Sequence, residues 1–282
     1  MKNILKRFFQ NPKPEGQASK LCEQAYFAAL PCVECDSSLL GSFCNSEINQ
    51  IINNKQINID WREDEKRLNA LAIPEMTGGV NPGDQRVLYH LVRHFKPASI
   101  LEIGTHIGSS TVALALAAKR NHADGVQTQI HTVDIKDVND ATTRPWAVHN
   151  SPKSPRDLLC EIGCSDLVRF ETDKSLNRLA RIDKQFGLIF LDGDHSAEAV
   201  YQEVPLALQR LVSPGLVVLH DYFPELKPLW TDHPPLAGPF CAIDRFLSEG
   251  ASLNILPMGK LPWATKLGTN VSSLAVLSRK VD

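Results

Sequence analysis

No stretch of this chain is apolar for long enough to cross a bilayer; the longest candidates are the length of strands. Charge of one sign is missing too. Lys and Arg number 30 against 32 Asp and Glu, a formal net charge of -2, and the basic residues are scattered with no aromatics interleaved among them. That pattern argues against nucleic acid or an anionic membrane as the partner. The first ten residues, M-K-N-I-L-K-R-F-F-Q, lack the apolar core of a signal peptide before Asn11 and Pro12, so the expected location is the cytoplasm. Ile4, Leu5, Phe8 and Phe9 fit one amphipathic turn, which either docks on the chain's own body or touches lipid or a partner. Repeats and low-complexity segments are absent.

A paired disulfide framework is also excluded, because the seven cysteines are odd in number. Four of them, Cys22, Cys32, Cys35 and Cys44, crowd the first 44 residues, and Cys32 and Cys35 stand as C-x-x-C. This spacing suits a structural zinc or an iron-sulfur centre; the alternative is reduced thiols that pack or face solvent. Cys160, Cys164 and Cys241 read as ordinary small residues, buried or half-buried. Residues 11–20, N-P-K-P-E-G-Q-A-S-K, read as a spacer, and 1–75 as an N-terminal extension ahead of a domain over 76–282.

What is present beyond that is an alternation of short apolar runs and helical periods. A helix over 61–72 ends at Pro74, and the glycine-rich turn T-G-G-V-N-P-G-D leads into another over 85–95. Strands follow at 99–103, 129–135, 167–172, 187–191 and 215–219, with helices at 109–119, 176–182, 197–211 and 241–248. The fourth strand is nearly continuous in apolar residues, as expected when both faces are covered. At the end, 253–256 and 273–277 are strand candidates with no helix between them, which reads as an antiparallel hairpin closing one sheet edge. The expected fold is α/β, a Rossmann-like seven-stranded sheet with that C-terminal hairpin. The interval 136–166, which carries Pro145, Trp146, His149 and a short helix from Pro155, reads as a lid or substrate wall above the strand ends, or as a surface loop.

The most informative segment is S-I-L-E-I-G-T-H-I-G-S-S-T at 99–111, a strand that opens into a glycine-spaced turn before a long Ala/Leu helix. Gly104 and Gly108 allow the backbone to turn tightly and approach a ligand. The free N–H groups near Gly108 and Ser109 face the same crevice. Glu102 would repel a pyrophosphate but not a cofactor with an amino group and a hydroxylated sugar, which favours S-adenosylmethionine over a dinucleotide. Asp134, ending the second strand, is placed to accept from two ribose hydroxyls, a role equally suited to NAD.

Two further strand ends carry chemistry. The fourth gives F-L-D-G-D-H, with Asp192, Asp194 and His195; the fifth gives V-V-L-H-D-Y, with His220 and Asp221. Asp192 and Asp221, assisted by His220, are candidate ligands for Mg²⁺, which would lower the pKa of a substrate hydroxyl. His195 is the candidate general base, since imidazole titrates near neutrality. The plainer readings are that Asp194 or Ser196 caps the next helix, that His220 sits behind the ligands, and that Trp146, Tyr222 and Trp230 are packing rather than substrate walls.

On these residues the sequence, from about Thr77 onward, resembles the class I S-adenosylmethionine-dependent methyltransferases. It is most similar to the metal-dependent O-methyltransferases of small molecules, of catechol, caffeoyl-coenzyme A and macrolide-sugar type. Their first motif, L-E-I-G-x-x-x-G-x-S, is matched by L-E-I-G-T-H-I-G-S-S, with His106 where the general class I pattern has a glycine. The resemblance implies that Glu102, Gly104, Thr105, His106, Gly108 and Ser109 border the cofactor and that Asp134 binds its ribose. It also implies that Asp173 to Ser175 lie near the adenine, and that the turn carrying Val80 reaches over the cofactor. Asp192 falls on the metal aspartate and His195 on the base. The fifth-strand pair is usually Asp-Asn, Asp-Asp or Glu-Asp; here it is His220-Asp221, so one expected carboxylate is replaced.

The function expected is O-methylation of a hydroxyl on a small molecule, assisted by Mg²⁺ or another divalent ion. Its alternatives are a metal-independent N- or O-methyltransferase, for which His220 argues, and a non-catalytic cofactor-binding protein whose cysteine-bearing head recruits a partner. A homodimer or higher oligomer is compatible with either.

Overall fold

The computed structural model describes residues 27–231 and 234–280, and divides the chain into two compact units, 1–33 and 34–282. In the first, a short helical stretch at 27–29 ends with Leu30 N–H donating to the Phe27 carbonyl. The expectations for Ile4, Leu5, Phe8, Phe9 and Cys22 fall outside the described residues.

The second unit is built on one sheet. Its strands are β1 (Ser99–Ile103), β2 (Gln129–Asp134), β3 (Val168–Thr172), β4 (Phe186–Leu191), β5 (Leu211–Leu219), β6 (Leu253–Pro257) and β7 (Ala275–Arg279). They lie in the order β3-β2-β1-β4-β5-β7-β6. The first five are parallel, β7 runs antiparallel to β5, and β6 antiparallel to β7. The expected hairpin at one edge is therefore present. Chain order reverses between β1 and β4, so the crevice between their carboxyl ends is the switch point where ligands bind in open α/β sheets.

Helices cover the sheet: α1 (Asn45–Ile52), α2 (Lys55–Ala70), α3 (Pro82–Phe95), α4 (Ser109–Ala123), α5 (Pro155–Glu161), α6 (Ser175–Arg181), α7 (Ala197–Leu208) and α8 (Gly238–Ser248). Residues from Ser109 to Ala118 of α4 are all buried, which suits a run of Ala and Leu with no polar stripe. Ser196 caps α7, accepting from Ala199 N–H, as one of the plainer readings of that position expected.

The sequence pattern predicts no element between the spacer and the helix over 61–72, yet α1 and the first turn of α2 form there. The reason lies in tertiary contacts. Strongly polar α2 is held by buried charge: Asp64 accepts from Tyr89 Oη at 2.7 Å and from Arg120 Nε at 2.8 Å, and Asp60 pairs with Arg93 at 2.9 Å. Buried carboxylates of this kind persist because each has a partner. Extended residues near Leu40 join the sheet itself, with Gly41 N–H donating to the Gly215 carbonyl and Arg279 N–H to that of Gly41.

Glu203 on α7 is 1 % exposed, and burial pushes its carboxyl from the ordinary 4.5 to about 7, against a stabilising hydrogen bond with Ser175. A carboxyl raised in the fold contributes stability that is full below its unfolded pKa and lost as pH rises through its folded one. Glu203→Gln is therefore expected to leave stability at pH 4 almost unchanged and to raise it at pH 8 by about 2–3 kcal/mol. Chemical denaturation at the two pH values checks this.

Candidate active site

The glycine turn after β1 is locked to the end of β4. Gly104 has φ +97°, and a Cβ there would lie 2.0 Å from the Asp192 carbonyl oxygen; only glycine satisfies both the backbone angle and the contact. Gly108 (φ +84°) immediately precedes α4, and a Cβ there would press on Pro155 of the 136–166 segment, 3.0 Å away. That segment thus packs over the turn, and its His149 ring lies 4.2 Å from the ring of His106, itself in the left-handed region at φ +50°.

Beneath the turn Glu102 is fully buried, and burial pushes its carboxyl to about 7. Its Oε2 accepts from Thr111 Oγ1 and Thr132 Oγ1, each at 2.6 Å, tying β1 to α4 and β2, while Oε1 has no protein partner. Thr105 hydrogen-bonds Thr132 at 2.6 Å. Asp134 accepts from His106 N–H at 2.9 Å and Lys136 N–H at 3.0 Å, and Asp173 N–H donates to its carbonyl. Ser175, at the start of α6, follows on the β3 side. These residues form a continuous ledge along the carboxyl ends of β1, β2 and β3.

The other half of the site is a cluster of opposite charges. His220 Nδ1 donates to Asp192 Oδ1 at 2.7 Å and stands 3.7 Å from Asp221 Oδ2; its Nε2 is 3.7 Å from Asp84 Oδ2. His195 Nε2 lies 3.7 Å from both Asp192 Oδ1 and Asp221 Oδ2. Burial alone would lower the pKa of His220, but the Asp192 and Asp221 charges raise it well above its ordinary value. Burial would raise Asp221, yet His220, His195 and Lys266 hold it below the usual carboxylate range. Asp221 adopts the left-handed φ of +51°, an angle a side chain keeps only where the surroundings fix it.

A cavity of about 350 Å³ joins this cluster to the turn, lined by Val80, Ser109, His220, Asp221 and Lys266 together with the 72–79 segment. Of the expected site residues, Val80, Ser109, His220 and Asp221 line it directly. Asp192 and His195 flank it through their contacts with Asp221 and His220. Gly104, Thr105, His106, Gly108, Asp134, Asp173 and Ser175 sit on the adjoining ledge, and Glu102 supports it from below.

Sequence reading missed three participants. Asp84 is 0 % exposed; its Oδ2 accepts from Asn81 Nδ2 at 2.7 Å and faces His220. Ser273 Oγ donates to Asp221 Oδ1 at 3.3 Å. Lys266 lies 3.6 Å from the centre of the Trp230 ring, which is buried. Asp84 had a signal, the N-P-G-D end of the glycine-rich turn; Ser273, expected to open the last strand, precedes β7, and Lys266 comes from a loop with no pattern of its own.

The expected metal set departs from an all-oxygen arrangement. Magnesium prefers six oxygens at about 2.0–2.1 Å, whereas this set offers two carboxylates and an imidazole whose Nδ1 is hydrogen-bonded to Asp192. The donor set Asp192, His220 and Asp221 does not fit Mg²⁺. Among the described residues no group of three or more His, Cys, Asp or Glu is arranged to hold a metal ion. For the expected zinc, Cys32 and Cys44 are exposed and Cys35 is half-buried, its thiol pushed up to about 12 by burial. Cys44 precedes α1 and contacts Ser46 Oγ at 2.8 Å.

Residues 101–222 match the family model described as a methyltransferase domain. The fold is shared with solved methyltransferases. One is an S-adenosylhomocysteine-bound enzyme from Podospora anserina (18% identity, TM-score 0.51, 96% of this chain and 99% of that one). A second is the O-methyltransferase TomG of Streptomyces achromogenes, in complex with S-adenosylmethionine (18%, 0.52, 91% and 95%). A third is an O-methyltransferase from Bacillus cereus in complex with S-adenosylhomocysteine (18%, 0.50, 93% and 97%). The fold is that of the class I methyltransferases. Over residues 101–222 the chain matches a methyltransferase domain, and its fold is the one these solved enzymes share.

Gly104→Ala is expected to cost about 2–4 kcal/mol of stability, through the clash with the Asp192 carbonyl and the positive φ. It should also abolish S-adenosylhomocysteine binding in calorimetry at temperatures where the variant is still folded.

Proposed function

We propose that this protein transfers a methyl group to the hydroxyl of a small molecule, with His195 as general base and without a divalent ion. The observation that carries this reading is the position of His195 Nε2, 3.7 Å from each of two carboxylates, one of which, Asp221, lines the cavity together with Ser109 of the cofactor turn. Glu102, Gly104, Thr105, His106, Gly108, Ser109 and Val80 are proposed to surround the methionine end of the cofactor, Asp134 its ribose, and Asp173 and Ser175 its adenine. The cofactor supplies, when bound, a methyl group on a sulfonium that is electrophilic without further activation. The overlap in fold with the Streptomyces and Bacillus O-methyltransferases supports oxygen as the acceptor.

His195 takes the acceptor's hydroxyl proton on Nε2 as the oxygen lone pair forms the new C–O bond and the carbon–sulfur bond breaks. Asp192 and Asp221 stabilise the imidazolium that results. His220 neutralises part of that negative charge and fixes the Asp192 carboxylate by its 2.7 Å hydrogen bond. The remaining contribution is alignment of oxygen and methyl, which needs no covalent intermediate. Trp230, which stacks on Lys266, and Tyr222 are proposed to bound the acceptor.

Domain boundaries follow from the same reading. Residues 76–282 carry the sheet and both halves of the site, and 1–75 are proposed as an extension that supports α3 and α4 through α2.

His195→Ala is expected to lower kcat for a hydroxylated acceptor about 10²–10⁴-fold while S-adenosylmethionine affinity stays within about threefold. Turnover of the parent is expected to survive EDTA. Loss of turnover in EDTA with recovery on Mg²⁺ would contradict the metal-free reading; undiminished kcat in His195→Ala would contradict the base.

A further inference from the structure

A second cavity, of about 460 Å³, lies apart from the catalytic one, between α2, α3 and the 262–263 segment. Lys55, Asn58, Ile59 and Arg62 face it from one stripe of α2, at helical spacing, and Arg86 of α3 and Trp263 form the opposite wall. Its lining contains three cations and no carboxylate. In a chain with a net charge of -2, this is a local excess that the overall composition hides.

Arg86 is the centre of the groove. Its guanidinium carbon lies 4.0 Å from the ring centre of Trp263 and 5.9 Å from that of Trp61. Nη2 donates to Asn58 Oδ1 at 2.6 Å, whereas Nε is buried without a hydrogen-bond partner. The carboxylate whose charge reaches Arg86, Glu65, itself accepts from Trp61 Nε1 at 3.1 Å. A guanidinium packed against a tryptophan ring and hydrogen-bonded at Nη2 is restrained, and its donors suit a tetrahedral or planar oxyanion.

The groove also holds the start of α2, a 16-residue helix with no acid in its first turn, so the positive end of the helix dipole adds to the three side chains. Its floor is apolar: Ile59 is 50 % exposed, and Pro262 and Trp263 continue the surface. Trp263 is pinned by Nε1 donating to the Gly83 carbonyl at 3.0 Å, so this wall is preformed.

We propose that the groove binds an organic phosphate, with the phosphate held by Lys55, Arg62 and Arg86 and an apolar or planar body laid on Ile59, Pro262 and Trp263. Three cations around one site favour a dianion over a single carboxylate, and the tryptophan face favours an esterified phosphate over the free ion. The proposal is independent of the acceptor and base assigned to the catalytic cavity. The two sites are mechanically joined, since α2 reaches the catalytic cavity at Leu68 and Asn69, and the segment that carries Trp263 reaches it at Lys266.

The test is titration of the full chain with phenyl phosphate at low ionic strength, followed by tryptophan fluorescence and by ³¹P line broadening. Inorganic phosphate and benzoate serve as comparison ligands. Saturable binding is expected, at least tenfold tighter for phenyl phosphate than for either comparison ligand, with the fluorescence change lost in Trp263→Phe. The doubly reversed variant Lys55→Glu/Arg62→Glu alters exposed positions and should keep the parent's unfolding temperature and S-adenosylmethionine affinity while binding phenyl phosphate at least tenfold more weakly. Absence of saturation, equal binding of benzoate or inorganic phosphate, or unchanged affinity in the charge-reversed variant would each overturn the proposal.

Discussion

The contact between Gly104 and the Asp192 carbonyl is the constraint on which the site depends. It brings the turn after β1 against the end of β4 with no room for a side-chain carbon, at the place among the parallel strands where chain order reverses. The ledge of backbone and hydroxyl groups on one side, and the charged cluster on the other, are thereby held at a fixed separation. Hydrogen bonds reinforce the arrangement from outside: Gly104 N–H donates to the Val133 carbonyl, and Asp192 N–H to that of Ile103. Catalysis that rests on alignment needs this kind of rigid junction more than it needs a strongly reactive group.

His220 gives the cluster its character. A carboxylate at that strand end would leave three acids, Asp84, Asp192 and Asp221, around a space that only an external cation could neutralise. An imidazole there, raised in pKa by Asp192 and Asp221, supplies the positive charge from within the chain. The substitution explains why Asp84 can be fully buried beside it and why Asp221 keeps a left-handed backbone angle: each faces a fixed partner.

Much of this was legible in the sequence, for reasons that differ by element. Strand β4 announced itself because a strand buried on both faces is nearly continuous in apolar residues, and the turn at Gly104 because no other residue tolerates its geometry. The convergence of Asp192, His195, His220 and Asp221 followed from their places at parallel strand ends. Helix α2 was hidden at its start, since it is held by ion pairs to Arg93 and Arg120 and by a hydrogen bond from Tyr89, partners far away in sequence. Lys266 and Ser273 were hidden because a loop acquires a role only when the fold places it, and the role of Asp84 because His220, which it faces, lies far away in sequence. Spacing shows that two acids and a histidine converge, but not that the histidine hydrogen-bonds one of the acids.

The most direct measurement is a crystal structure with S-adenosylhomocysteine. The account expects the sulfur to lie beside the Gly104 to Ser109 turn with its open side toward His195. A methyl group there should come within about 3–3.5 Å of an oxygen held by that imidazole, and His220 should still be bonded to Asp192. A ligand bound away from the turn, or an imidazole of His195 directed out of the shared cavity, would contradict it.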